Sequence, residues 1–296
     1  MTVTAIGETV LDIIFRNGQP AAAVPGGSSF NAMVSLGRTA SRLIPQTKLR
    51  MVSQLGDDMV AEIIFSFMKE NRICTEAMVQ VPGQSTVSLA LLDERSNAAY
   101  EFFRDRSMPP FSAPELEFNS GDIVLFGSFF AINPSTREQV RSIVRKARKA
   151  GAKVYYDINF RKNHRLDDAR EQIEQNIALS DIVRGSSEDI QAIWGSSDAN
   201  AVFKEHIAPL CSRFICTRGA DRTQVFAPQL RRSYPVDKST KVVSTIGAGD
   251  NFNAGVIYAL ICNESIDWDR IVPIAHSFSA NTVASIYNYV DTDFEP

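Results

Sequence analysis

Two patterns of apolar and polar positions divide the chain. From about residue 121, short apolar runs alternate with longer stretches of helical spacing. Residues 122–126 form a buried-type strand, and Asn133-Pro134 opens a helix, with Asn as cap and Pro at the first helical position, that stops at Gly151. Strands follow at 153–156, 181–183 and 214–217, with helices at 166–179 and near 188–194 between them. Strands alternating with helices predict an α/β fold with a mainly parallel central sheet and helices on both faces.

The first hundred residues break that rhythm. Strand-like runs at 3–6 and 49–54 and helices at 28–40 and 59–71 fit it, but 10–15 ends in the turn Asn17-Gly18. Residues 87–92 and 98–103 read as a hairpin around Glu94-Arg95-Ser96-Asn97. These pieces, about 10–24 and 85–105, predict a small β-sheet lid projecting from a single domain spanning 1–296.

Near the C-terminal end, Lys241-Val242-Val243 reads as β-like. Phe252, Val256, Ile257 and Leu260 then recur at helical spacing. Between them lies Gly247-Ala248-Gly249-Asp250. A glycine-rich turn that opens a helix presents free N–H groups and the positive end of the helix dipole to an anion. With a carboxylate in the same turn, this is what phosphoryl transfer to an alcohol needs. Taken alone, the turn is more simply a plain helix cap. It is not a P-loop, since Gly249 is followed by Asp250-Asn251 rather than Lys-Ser or Lys-Thr. Nor is it a dinucleotide fingerprint, since Phe252 stands where the third glycine belongs, which also argues against a nicotinamide dehydrogenase.

Composition narrows the class. The 296 residues are ample for a large core, and 44% hydrophobic with 22% charged residues is ordinary for a globular protein. The net charge of −3 does not suggest a general nucleic-acid surface. Without an apolar run of spanning length or a secretory-type start, no membrane partner is expected. Cys74, Cys211, Cys216 and Cys262 lack metal-ligand spacing and read as reduced thiols of a cytoplasmic protein, which makes the sequon Asn263-Glu264-Ser265 idle.

In an open α/β sheet, ligands bind beyond the carboxyl ends of the strands. The polar residues placed there are Asp12, Gly26-Gly27 with Asn31, Asp157-Ile158-Asn159-Phe160-Arg161, Glu188, Thr217-Arg218-Gly219 and the 245–250 turn. Each has a plainer reading. Asp12 could be a strand-edge carboxylate, Asn31 a polar helix residue, Arg104 a solvated hairpin charge, and Asn159 and Arg161 surface residues after a strand.

In this order the pieces resemble the ribokinase-like, or PfkB, family of carbohydrate kinases over nearly the whole length. Gly26-Gly27 with Asn31 resembles the family's first signature, which lines the sugar site. Gly56-Asp57-Asp58 resembles its Gly-Asp-Asp element, Asp157-x-Asn159-x-Arg161 its Asp-x-Asn-x-Arg element, and Gly247-Ala248-Gly249-Asp250 its second signature. There are departures. Ser244 stands where the second signature begins with Asp, Gly185 replaces the Asn of the Asn-x-x-Glu element ending at Glu188, and Arg222 stands near a usual nucleotide-loop glycine.

The resemblance implies transfer of the ATP γ-phosphoryl group to a sugar hydroxyl. Asp250 would be the base, held ionised by the helix dipole, with the backbone of Gly247, Ala248 and Gly249 as anion hole. Asp12, Gly26, Gly27, Asn31, Arg104, Asn159 and Arg161 would bind the sugar. Thr217, Gly219 and Asn281 would bind the nucleotide, and Glu188 would hold Mg2+ through water. A requirement for a monovalent cation stays open. The pattern is most similar to fructokinases, then to 2-keto-3-deoxygluconate kinases and ribokinase. A sugar- or nucleotide-binding regulator with weak turnover is the alternative of a different class. A homodimer through the β-lid is expected.

Overall fold

The structure is a computed structural model. It describes residues 1–93, 98–160, 167–263 and 265–296, with residues 40–43 and 98 described by their backbone alone. In chain order the elements are β1 (Thr2–Ile6), β2 (Val10–Arg16), β3 (Gln19–Gly26), α1 (Ser28–Leu43), β4 (Lys48–Leu55), α2 (Met59–Glu70), β5 (Ile73–Cys74), β6 (Met78–Gln80), β7 (Val87–Leu92), β8 (Ala98–Phe103), β9 (Ile123–Gly127), α3 (Arg137–Lys149), β10 (Lys153–Asp157), α4 (Ala169–Ala178), β11 (Ile182–Ser186), α5 (Ser187–Trp194), α6 (Ala199–Val202), β12 (Phe214–Arg218), β13 (Arg222–Ala227), β14 (Leu230–Pro235), α7 (Ala248–Cys262) and α8 (Trp268–Val283). Among the described residues no helix is long and apolar enough to cross a membrane.

The chain divides into two compact units. The first is built mainly from residues 3–6 and 115–238. Its strands lie in the order β14-β13-β12-β11-β10-β9-β1. β1, β9, β10, β11 and β12 pair in parallel. β13 and β14 add an antiparallel edge. The runs Ile123–Gly127 and Lys153–Asp157 are almost wholly buried, as expected of strands covered on both faces.

The second unit takes in residues 7–114 and 239–296. In it β4 pairs in parallel with β5 and β6. A separate four-stranded sheet has the order β3-β2-β7-β8, realising the lid-like sheet expected from the early hairpin pieces. β2 runs antiparallel to β3 and parallel to β7, which in turn forms the expected hairpin with β8. The turn 94–97 lies outside the described residues. Helix α7 is buried on all sides from Asn251 to Leu260 and packs against α1 and α8. A helix apolar all round belongs in a core, so its first turn is held rigidly by what surrounds it.

Three expectations need correction. The segment 241–243 is not a strand, since its one ladder-like contact is Val243 N–H to Val283 O at 2.7 Å. The turn before α7 is therefore entered from a loop. Asn133 does not cap α3. Its Oδ1 accepts from the N–H and Oγ of Ser135, a local turn that competes with capping, and the helix begins four residues later at Arg137. Asp12 is not at a sheet edge, because β2 lies between β3 and β7.

Candidate active site

Gly247, the residue before α7, adopts the left-handed conformation at φ 76°. A Cβ there would lie 2.5 Å from the carbonyl oxygen of Asn288, so the position needs glycine for both its backbone and its neighbour. Ahead of it, the fully buried Ser244 accepts from Ile246 N–H through Oγ at 3.2 Å. Ala248 N–H turns back to Thr245 O at 3.3 Å. The N–H groups of Gly247 and Gly249 have no acceptor among the described residues. Asn251 clamps the turn from behind. Its Nδ2 donates to Gly247 O at 2.8 Å and to Asn288 O at 2.7 Å, and its Oδ1 accepts from Ser35 Oγ. What remains is a rigid helix N-terminus with free amides, the arrangement that favours an anion.

Asp250, in the first turn of α7, is half-buried. Its Oδ2 accepts from Asn31 Nδ2 at 2.8 Å. Asn31 stands in the first turn of α1, with its own N–H on Gly27 O at 2.8 Å. It is 3% exposed, and its Oδ1 is buried without a partner among the described residues. A buried amide oxygen left unpaired costs free energy, so a hydroxyl donor would be welcome there.

On β2, Asp12 is 4% exposed and accepts from Ser88 Oγ and, at 2.9 Å, from Asn288 Nδ2. Gly26 packs against this carboxylate so closely that any side chain would strike Oδ2. Gly27, at φ 118°, then turns the chain into α1. The structure thus brings Asp12, Gly26, Gly27, Asn31, Asp250 and the 247–249 turn into one hydrogen-bonded neighbourhood. Asn251 and Asn288 belong to it and were not singled out from the sequence. An Asn inside an apolar helix was a readable signal for the first; nothing marked the second.

Two further expected residues of the second unit, Arg104 and Asn281, have partners of their own. Arg104 is exposed and bound to Glu8 by two hydrogen bonds of 2.8 Å, with its guanidinium 4.3 Å above the Phe102 ring. It lines a cleft of about 750 Å³ with Gln84, Ser85, Val87, Phe102 and Asp105. The Asn281 side chain is engaged with Asp291, donating to its carboxylate at 3.2 Å and accepting from its N–H at 2.8 Å.

Within the first unit, the ends of β10, β11 and β12 carry a charged cluster. Arg184 donates to Asp157 Oδ1 at 3.1 Å and to Thr217 Oγ1 at 2.7 Å. Burial opposes the Arg184 charge, but Asp157 and Asp189 more than offset it and hold the guanidinium protonated. Burial also raises the Asp189 carboxyl above its ordinary value, against the pull of Arg184. Asp189 closes a capping box with Ser186 at the start of α5 and accepts from Phe160 N–H at 2.8 Å. Glu188 beside it is exposed. Asn159 has φ 35°, a conformation Asn tolerates better than most residues, and this accounts locally for its identity. Gly219 lies in the β12–β13 turn, and Arg161 is outside the described residues. Among the described residues no three His, Cys, Asp or Glu side chains form a metal-binding group.

The chain is similar to known proteins over most of its length. The chain is 24% identical to a fructokinase of Vibrio alginolyticus over 272 residues, covering 90% of this chain and 85% of that protein. It is 23% identical to the 2-dehydro-3-deoxygluconokinase of Haemophilus influenzae, covering 90% and 88%. Its fold matches that of a Vibrio cholerae fructokinase crystallised with fructose, ADP and calcium, with a TM-score of 0.85 at 20% identity, covering 97% and 94%. The model of the pfkB family of carbohydrate kinases matches residues 2–288. The chain therefore belongs to the pfkB family of carbohydrate kinases.

Proposed function

We propose that this carbohydrate kinase transfers the γ-phosphoryl group of ATP to a terminal hydroxyl of fructose, with Asp250 as base. The observation that carries the reading is the Asn31–Asp250 hydrogen bond of 2.8 Å. It fixes a carboxylate at a helix N-terminus whose Gly247 and Gly249 amides are free. Asp250 accepts the proton of the attacking hydroxyl. The amides of Gly247 and Gly249 meet the charge on the transferring group as it moves between oxygens, and Ala248 N–H joins them by releasing Thr245 O. Asp12 and Asn31 hold neighbouring hydroxyls, Asn31 through the oxygen that lacks a partner.

Thr217, Gly219 and Asn281 serve the nucleotide in this reading. The Thr217 hydroxyl, which already accepts from Arg184, keeps its proton to donate to a phosphate. Mg2+ neutralises phosphate charge when bound. It usually keeps several waters and needs only one or two carboxylates, which suits the exposed Glu188. Arg104, Asn159 and Arg161 complete the sugar side, and copies of the chain pair through the β3-β2-β7-β8 sheet, which sedimentation would test.

Fructose is favoured by the fructokinase relatives. The 2-keto-3-deoxygluconate reading rests on the Haemophilus protein. A panel of fructose, 2-keto-3-deoxygluconate, ribose and adenosine with ATP and Mg2+ separates them. Fructose is expected to turn over fastest. Asp250→Asn is expected to lower kcat by roughly 10²–10⁴-fold, the usual worth of a general base. Preference for another acceptor overturns the substrate, and an unchanged rate in Asp250→Asn overturns the mechanism.

A further inference from the structure

Asn288 and the two residues after it join three parts of the second unit. All three are buried, at 0%, 2% and 0% exposed. Tyr289 donates through its hydroxyl to Pro25 O, next to Gly26. Val290 N–H donates to Ser35 Oγ at 3.1 Å, and Val290 O accepts from Arg38 at 2.7 Å, both on α1. Asn288 makes the two contacts that matter most for chemistry. Its side chain donates to Asp12 at 2.9 Å, and its carbonyl oxygen accepts from Asn251 and backs the Cα of Gly247. One residue therefore touches the carboxylate assigned to the sugar and the turn assigned to the transferring phosphoryl group.

The chemistry of the side chain fixes its orientation. A carboxylate only accepts, so the amide must turn its NH2 end to Asp12. The cost is visible at the other end, where Asn288 Oδ1 is buried with no partner among the described residues. A residue whose task was filling space would not need an unsatisfied oxygen here, since an apolar group of similar size would avoid that cost. The donor to Asp12 is what the site retains.

We propose that Asn288 is a positioning residue that couples the two halves of the reaction. A sugar hydroxyl binding at Asp12 sets the carboxylate, the carboxylate holds the Asn288 amide, and the Asn288 carbonyl fixes Gly247 and the free amides of the anion turn. This rests on the sugar-kinase reading given above. Its consequence is reciprocal: fructose tightens nucleotide binding, and nucleotide tightens fructose binding by the same factor.

Calorimetry with fructose and a non-hydrolysable ATP analogue, each alone and in the presence of the other, reads that factor directly. The wild type is expected to show synergy on the order of tenfold. Asn288→Ala is expected to bring it close to one, lowering kcat far more than it raises the KM for either substrate. Asn288→Asp, nearly the same size but without the donor, is expected to lose at least as much as Asn288→Ala. A space-filling role predicts instead that Asn288→Leu, close in size and without a donor, keeps the synergy, whereas the coupling predicts its loss. Thermal melts identify variants that fold; if Asn288→Asp does not, Asn288→Ser, which keeps a donor, is expected to retain more synergy than Asn288→Ala. Turnover without synergy in the wild type, or synergy unchanged in folded Asn288→Ala, overturns the coupling and leaves the kinase reading standing. Absence of turnover on every sugar removes that reading and the coupling with it.

Discussion

Asp12 and Asp250 accept hydrogen bonds from the neutral amides of Asn288 and Asn31, at 2.9 and 2.8 Å, whereas Asp157 in the other unit lies 3.1 Å from the guanidinium of Arg184. An amide orients the lone pairs of a carboxylate and leaves its charge uncancelled. A guanidinium orients and neutralises together. A buried carboxylate paired with a cation is locked to that partner, since removing either one strands a charge. A neutral donor lowers the proton affinity of a carboxylate less than a cation at the same distance does. The Arg184 contact gives Asp157 a structural role, while the Asn288 and Asn31 contacts orient Asp12 and Asp250.

The sharpest way to break the comparison is Arg184→Met. Leaving Asp157 and Asp189 buried without their cation is expected to cost about 3–5 kcal/mol of stability. Denaturant unfolding checks this, and a loss under about 1 kcal/mol would remove the structural reading of the cluster. Next comes Asn31→Ala. Losing a hydrogen bond to a charged group costs about 1.5–3 kcal/mol, so kcat should fall by roughly 10–100-fold if that bond positions the base. Steady-state kinetics should show the change in kcat with the KM for ATP unmoved; if stability falls and kcat does not, the amide is only packing.

The smallest effect concerns a motif that lies outside both groups. Asp58, the last residue of Gly56-Asp57-Asp58, caps α2 through Ala61 N–H at 2.9 Å and accepts from Ser85 N–H and Oγ at 2.8 and 2.7 Å. Burial alone would raise its carboxyl, but the bonds from Ser85 and Ala61 outweigh it and hold it below its ordinary value. Asp58→Ala should cost about 1 kcal/mol near neutral pH. A carboxyl with a lowered folded-state pKa stabilises fully above the ordinary carboxylate range and loses that contribution as pH falls through the lowered value. The gap in melting temperature between variant and wild type should therefore close in acid, and a gap independent of pH would argue that the charge plays no part.

How much of this was legible in the sequence depended on how local the cause was. The Gly-Ala-Gly-Asp turn and the Gly-Gly pair carry their own conformational signature, and both belong to the neighbourhood of Asp12, Asn31 and Asp250. The parallel strands were legible because burial on both faces leaves unbroken apolar runs. β14, Leu-Arg-Arg-Ser-Tyr-Pro, carries neither an apolar run nor a clean alternation, because as an edge strand it buries little. β3 is hidden for a similar reason, being alanine-rich and exposed over its first half. Val242 and Val243 misled in the opposite direction, since β-branched residues favour strands only where a partner strand exists. Asn288 was out of reach altogether. Its meaning depends on Asp12, and no periodicity joins residues so far apart.

That separation has a consequence for how the protein is made. The bond between Asp12 and Asn288 spans 276 residues, and the bond from Tyr289 to Pro25 spans 264. Closing so large a loop is cheap in itself, because each doubling of its length adds only about 0.6 kcal/mol. The demand falls on synthesis instead. A ribosome that has delivered Asp12 and Asn31 must still deliver more than two hundred residues before Asn288 and Asp250 exist. A nascent chain stopped short of residue 288 thus has half of a site and nothing to close it, and the carboxylate on β2 is among the last groups to find its full set of donors.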